Sequence, residues 1–223
     1  MPGAHGEQGP LIADPVVIDT DHGPARAHLR RAPGTGRGLL VLGHGAGGGV
    51  DAPDLRSATA AAHGAGWHVV LVEQPYRVAG RRAPAPARHL DASWTQVTNY
   101  LTTDGPGWAG FAGLPLVVGG RSSGARVACR TATPLGAIGV LCLAFPLQPP
   151  RDRPSRLPEL DGAGVPVLVV QGERDRFGMP PAAPGRTIAV VPGDHGLKKD
   201  PGGIEAAVRQ WLTSLLPAPP QHR

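Results

Sequence analysis

Apolar positions along the chain follow two rhythms. Unbroken apolar runs occupy 38–43 (GLLVLG), 67–73 (WHVVLVE), 114–119 (LPLVVG), 137–144 (AIGVLCLA) and 165–171 (VPVLVVQ). Their length and continuity predict strands buried on both faces. Residues 186–191 (RTIAVV) predict a last strand. Between the strands, 54–66, 88–101, 122–131 and 204–216 read as helices. Residues 15–20 and 25–30 fit an antiparallel pair around Asp21-His22-Gly23. Strands alternating with helices predict an α/β fold: a mostly parallel, doubly wound sheet with helices on both faces and an antiparallel edge.

The 223 residues suit one domain, expected over 11–216, with frayed ends at 1–10 and 217–223. The 33 glycines and 26 prolines fall mostly between the apolar runs, where turns belong. No internal repeat is visible. The formal charge is +5, but the basic residues are scattered, apart from groups at Arg30-Arg31, Arg77 to Arg88 and Arg151 to Arg156. A nucleic-acid binder more often shows a continuous basic stripe, so this pattern reads as a solvated surface. Cys129 and Cys142 each sit in an apolar stretch and read as small core residues rather than a disulfide or metal framework. No basic start leads into an apolar leader, and no apolar run reaches the roughly 18 residues that span a membrane. The expectation is a cytoplasmic protein without a nucleic-acid or membrane partner; the oligomeric state is not legible.

The strongest motif is Gly120-Arg121-Ser122-Ser123-Gly124. It matches Gly-x-Ser-x-Gly, directly after one predicted strand and at the start of a predicted helix, the context that gives the pattern meaning. A sharp strand-to-helix turn exposes the central hydroxyl, and the helix N-terminus points amides at developing negative charge. Ser122 is the candidate nucleophile. Ser123 is the rival, but it is not central between the glycines.

A serine nucleophile needs a base, and the base needs an orienting acid. Two histidines lie downstream, His195 and His222. His222 falls in the proline-rich tail. His195 sits in a turn after the last predicted strand, and is the candidate base. Asp175 follows the strand VPVLVVQ, at the sheet edge where catalytic groups gather, and is the candidate acid. Glu173, Asp194 and Asp152 are rivals; Asp152, after the preceding strand, is the more serious.

Gly43-His44-Gly45-Ala46-Gly47-Gly48-Gly49 follows the strand GLLVLG. In acyl-transfer enzymes built this way, such a loop supplies one oxyanion amide and the residue after the nucleophile supplies the other. The candidate donors are Ser123 and Ala46, with Gly45 as an alternative to Ala46. The same stretch contains Gly43-x-Gly45-x-x-Gly48, a dinucleotide pattern, and Glu73 ends the next strand where a ribose-binding acid would fall. Against that reading, Pro53 suits a first helical turn, so the helix begins too late to aim at a pyrophosphate.

Taken in order, Gly43-His44-Gly45-Ala46-Gly47, Gly119 to Arg126, Gln171-Gly172-Glu173-Arg174-Asp175 and Gly193-Asp194-His195 resemble a small α/β-hydrolase branch. That branch includes a testis-expressed protein and a subunit of a nuclear histone-acetyltransferase complex. The chain is similar, more distantly, to dienelactone hydrolases. The likeness covers roughly 25–216. The branch tends to carry lysine or histidine where this chain has Arg121, and a bulkier residue where it has Ser123. Neither departure removes a catalytic group; both bear on the shape of the pocket.

The resemblance implies an α/β-hydrolase fold with a Ser122–Asp175–His195 triad that cleaves esters or thioesters of a small acyl substrate, with no metal or organic cofactor. The alternative is a non-catalytic binding or scaffold protein on the same fold. About 20 residues separate two of the strands, LCLA and VPVLVVQ, too few for a large helical lid. Arg77, Arg81, Arg82 and Arg88 lie on a loop that could attract an anionic substrate, although a solvated loop is the plainer reading.

Overall fold

The computed structural model describes residues 15–103, 110–150 and 153–216. The frayed ends expected at 1–10 and 217–223 lie outside them, as do Asp152 and His222. Among the described residues eight strands form one sheet: β1 (Val16–Ile18), β2 (Ala25–Arg30), β3 (Leu39–Gly43), β4 (His68–Glu73), β5 (Leu116–Arg121), β6 (Gly139–Leu143), β7 (Val167–Gly172) and β8 (Arg186–Val191). Their order is β1-β2-β4-β3-β5-β6-β7-β8. The β1–β2 and β2–β4 pairings are antiparallel and the other five parallel, so the antiparallel edge falls where expected.

Among the described residues six helices accompany the sheet: α1 (Pro53–Gly64), α2 (Pro75–Val78), α3 (Ala87–Thr102), α4 (Ser123–Thr131), α5 (Leu157–Asp161) and α6 (Pro201–Leu215). The strands' period of two divides the core cleanly. Leu40, Leu42, Val69, Leu71, Leu141, Leu143, Leu168 and Val170 pack beneath α1 and α6. Leu39, Val41, Val70, Val72, Val140, Cys142, Val167 and Val169 pack against α3 and α4. Both faces of each central strand are dry, which is why these segments read as continuous apolar runs. Cys129 and Cys142 are buried free thiols within this core, their sulfurs 3.5 Å apart.

Two short helices, α2 and α5, escape the sequence reading because one turn is too short to show a period. The closing helix also starts earlier than the predicted 204. Gly202-Gly203 look like breakers, but Asp200 caps the helix by accepting the Gly203 N–H at 2.9 Å, and Pro201 fits the first turn. Among the described residues, the β6–β7 connection carries only α5 as regular structure, and no helical lid is found there. Two forked ion pairs anchor α4: Arg126 to Glu159 of α5 at 2.7 and 2.6 Å, and Arg130 to Asp91 of α3 at 2.8 and 2.6 Å. They hold steady the helix that carries the elbow.

Candidate active site

The elbow sits where β5 ends and α4 begins. Ser122 is the N-cap of α4, with φ 51° and ψ −105°, so the helix starts one residue later than predicted. Positive φ costs a non-glycine residue roughly 1–3 kcal/mol and persists only when the surroundings enforce it. Two contacts do so. The Ser122 N–H donates to the Leu143 carbonyl at 2.9 Å, pinning the turn to β6. Gly124 lies so close to β3 that a Cβ there would stand 2.4 Å from the Gly43 oxygen. Strand and helix therefore meet backbone to backbone.

The structure brings the three candidate residues into one hydrogen-bonded line. His195 Nε2 lies 3.1 Å from Ser122 Oγ, and His195 Nδ1 lies 2.8 Å from Asp175 Oδ2. The Asp175 side chain is 1% exposed and that of His195 18%, a buried acid beside a base open to one side. Asp175 Oδ1 accepts the Phe177 N–H at 2.9 Å, and Oδ2 also accepts from Gln171 Nε2 at 2.9 Å. The Phe177 ring packs edge-on against the imidazole, centroids 4.5 Å apart. Gly172 lets the acid and histidine loops touch; a Cβ there would sit 2.5 Å from the Asp194 oxygen. Arg174 N–H to Gly193 O at 2.9 Å ties the two loops together.

The described rivals hold other posts. Asp194 Oδ1 accepts the Gly196 N–H at 2.9 Å and shapes the histidine turn; that hydrogen bond keeps its carboxyl below the usual range. Glu173 pairs with Arg174 at the surface. Ser123 is the first residue of α4, and no acceptor for its N–H is found among the described residues.

The glycine loop is held by two side chains. His44 is buried, with Nδ1 2.8 Å from the Gly45 carbonyl and Nε2 accepting the Gln74 N–H at 3.1 Å. These contacts define a neutral tautomer protonated on Nδ1, and burial lowers its pKa below the ordinary 6.5. In a trans peptide the N–H points opposite the carbonyl, so the Ala46 N–H faces away from His44. The Tyr76 hydroxyl donates to the Ala46 carbonyl at 2.9 Å, and burial pushes its pKa up to about 12, which keeps the donor proton in place. A Cβ at Gly45 would lie 3.7 Å from Ser122 Cβ, so this loop borders the serine. The dinucleotide pattern in the loop is not a helix turn, since α1 begins only at Pro53, and Glu73 is engaged with His28 at 3.1 Å.

Sequence reasoning missed three supporting residues. Gln171 is a fully buried amide at the end of an apolar strand, and that lone polar position was its signal. Asp54, with a side chain 0% exposed, stands with its Oδ2 2.9 Å from Arg121 Nε, at ion-pair distance though the N–H is not aligned on the oxygen. Arg121 Nη2 then donates to the His195 carbonyl at 3.0 Å. Burial raises the Asp54 carboxyl, and Arg121 partly offsets this. Of the arginines expected on one loop, Arg77 lies in α2 and Arg88 in α3, and Arg81 lies on the exposed turn between them, its carbonyl accepting from Arg77 Nη1 at 3.2 Å.

An eight-stranded, mostly parallel sheet with a strained serine at the strand–helix turn, hydrogen-bonded to a histidine, has the architecture of the α/β-hydrolase fold. Residues 36–199 match a family described as an alpha/beta hydrolase domain, and the chain belongs to that family. The fold is similar to a structure from Xanthomonas campestris, XC6422, described as an α/β serine hydrolase without lid, with TM-score 0.73 and 19% identity over 93% of this chain and 96% of that one. It is similar to Est1E from Butyrivibrio proteoclasticus, with TM-score 0.71 and 13% identity over 90% and 98%. It is also similar to a dienelactone hydrolase from Anabaena variabilis, with TM-score 0.64 and 17% identity over 91% and 95%. No curated protein matches the chain. Among the described residues no helix is long and apolar enough to cross a membrane.

Proposed function

We propose that the protein is a serine hydrolase that cleaves carboxylic esters or thioesters of small acyl substrates. The observation that carries this reading is the continuous line from Asp175 Oδ2 through the two imidazole nitrogens to Ser122 Oγ, at 2.8 and 3.1 Å. In the first half-reaction His195 Nε2 takes the Ser122 proton as Oγ attacks the acyl carbon. Asp175 keeps the Nδ1 proton in place and stabilises the imidazolium that forms. The amides of Ser123 and Ala46 receive the oxyanion, with Gly45 as the alternative to Ala46. Each such donor is worth about 10²–10³ in turnover. His195 then protonates the departing alcohol or thiol. In the second half-reaction it takes a proton from water, which attacks the acyl-enzyme, and returns that proton to Ser122. This chemistry calls for no metal or organic cofactor. The proposal includes the cytoplasm as the compartment, in keeping with two buried free thiols.

A fluorophosphonate probe tests it directly. The folded protein is expected to label once, at Ser122, and Ser122→Ala to remain unlabelled. A chain-length series of esters then reads out acyl preference. A folded protein that neither labels nor turns over any ester is a binding protein on a hydrolase fold, and the proposal is wrong.

A further inference from the structure

A cavity of about 290 Å³ opens between the β1–β2 turn, α2 and the start of α3. Neither the Ser122–His195–Asp175 line nor the glycine loop contributes to its lining, so a molecule held there lies apart from the reacting atoms. Its volume lies at the low end of ligand sites, room for one ring or a short chain.

The inner wall offers little to a polar group. Tyr76 and Leu90 are buried there, and Ala79 and Ala85 extend the apolar surface outward. The Tyr76 hydroxyl proton is committed to the Ala46 carbonyl. The Thr20 hydroxyl donates to the Gly23 carbonyl at 2.6 Å, so in its 3.0 Å contact with Ser93 it is Ser93 that donates. Gln74 turns its Nε2 to the Leu90 carbonyl at 3.2 Å, and its Oε1 is buried out of reach of the cavity.

The outer side is different, since Arg81, His22 and His89 complete the lining. The two imidazole rings stack, with centroids 4.0 Å apart and planes 18° from parallel. Arg88 Nε donates to His89 Nε2 at 3.2 Å, so the neutral His89 ring keeps its proton on Nδ1, as a donor. Neither Arg81 nor Arg88 meets a carboxylate among the described residues. No carboxylate lines the cavity, and Arg81 is its single fixed cation. An arginine on an open surface simply faces water; this one borders an apolar hollow beside two imidazoles. One forked guanidinium with imidazole donors next to it suits one planar carboxylate group.

We propose that this cavity is a binding site, separate from the serine, for a small monocarboxylate with a compact apolar body. Arg81 and the two imidazoles take the carboxylate, while Tyr76, Leu90, Ala79 and Ala85 cover the body. The assignment does not depend on the serine-hydrolase reading.

The test is an NMR titration of the His22 and His89 rings. Phenylacetate is the probe, phenylacetamide its neutral equivalent of the same shape, and inorganic phosphate an anion without the apolar body. Phenylacetate is expected to shift both ring signals to saturation. The amide is expected to bind at least about tenfold more weakly, the scale of a charge-assisted hydrogen bond. Arg81→Gln is expected to erase that difference. Ala79→Phe, at an exposed position, is expected to fill the hollow and abolish the phenylacetate shifts, with an unchanged thermal midpoint confirming the fold. Equal binding of acid and amide overturns the carboxylate assignment. Phosphate acting at the same concentration as phenylacetate overturns the apolar body. No saturable shift, or shifts that survive in Ala79→Phe, overturns the site itself. Ester turnover measured alongside reports on the hydrolase reading alone.

Discussion

Arg121 and His195 are linked through the backbone: the guanidinium of the residue preceding the serine donates to the carbonyl of the histidine at 3.0 Å. The same side chain contacts the buried Asp54 carboxylate at 2.9 Å. One arginine thus ties the start of α1, the end of β5 and the histidine turn together. Its nearness to Gly45 extends the tie to the oxyanion loop, since a Cβ at Gly45 would lie 2.9 Å from Arg121 Nη1.

Two separable losses follow for Arg121→Met. Asp54 loses the one cation in contact with it among the described residues, and removing one partner of a buried pair costs about 3–5 kcal/mol; Arg121 is itself 20% exposed, so the low end applies. The histidine turn loses its tether, and kcat is expected to fall about tenfold, the scale of a misplaced catalytic group. Adding Asp54→Asn is expected to restore the denaturation midpoint but not kcat. Recovery of both in the double variant would reduce Arg121 to a structural role.

For the hydrogen-bonded line itself, Ser122→Ala is expected to lower kcat by about 10⁶ and Asp175→Asn by about 10⁴, the latter through the wrong imidazole tautomer. Combining the two should cost no more than Ser122→Ala alone, because residues that act as a unit are not additive. Stopped assays on an activated ester measure all three. Additive losses would show that Asp175 acts outside the line.

The close approaches at Gly124 and Gly172 predict strain on adding one methyl group. Gly124→Ala would place Cβ 2.4 Å from the Gly43 oxygen, and Gly172→Ala 2.5 Å from the Asp194 oxygen. Backbone cannot yield as a side-chain tip can, so each is expected to cost at least about 1–3 kcal/mol, the range for overpacking. Thermal unfolding of each variant reads this directly. Gly47→Ala, with nothing within 4 Å of the new atom, serves as the control.

His44 gives stability a pH dependence. Burial lowers its pKa below the ordinary 6.5, so the unfolded chain binds a proton that the folded chain refuses. Stability is full above 6.5 and falls as the pH drops toward the folded value, with a slope up to about 1.4 kcal/mol per pH unit from this group. Asp54 acts in the opposite sense: burial raises its pKa above 3.8, so its contribution is lost as the pH rises through the folded value. Comparison with His44→Gln isolates the first effect. The stability gap between wild type and variant is expected to narrow as the pH falls from about 7.5 to about 5.5. A constant gap would mean that His44 is not held neutral.

Much of the molecule was legible in one dimension because its central strands are dry on both faces. Each appears as an unbroken apolar run, and each turn as glycine or proline punctuation. The elbow was legible for a related reason. Only glycine fits opposite the Gly43 backbone, and the sequence must print it. The one-turn helices α2 and α5 left no period to detect, and the α6 start was masked by two glycines after a capping aspartate.

Other features were settled only in three dimensions. The sequence by itself determined the strand series, the elbow and a short set of histidines and acids downstream. The tertiary structure decided which of those acids meets His195, because hydrogen bonds are set by distances of about 3 Å that chain separation does not encode. It also decided what Arg121, Asp54, Gln171 and Gln74 do. Each is an ordinary polar residue in the string, and each gains its meaning only when folding removes the water and leaves one specific partner, or none, within reach.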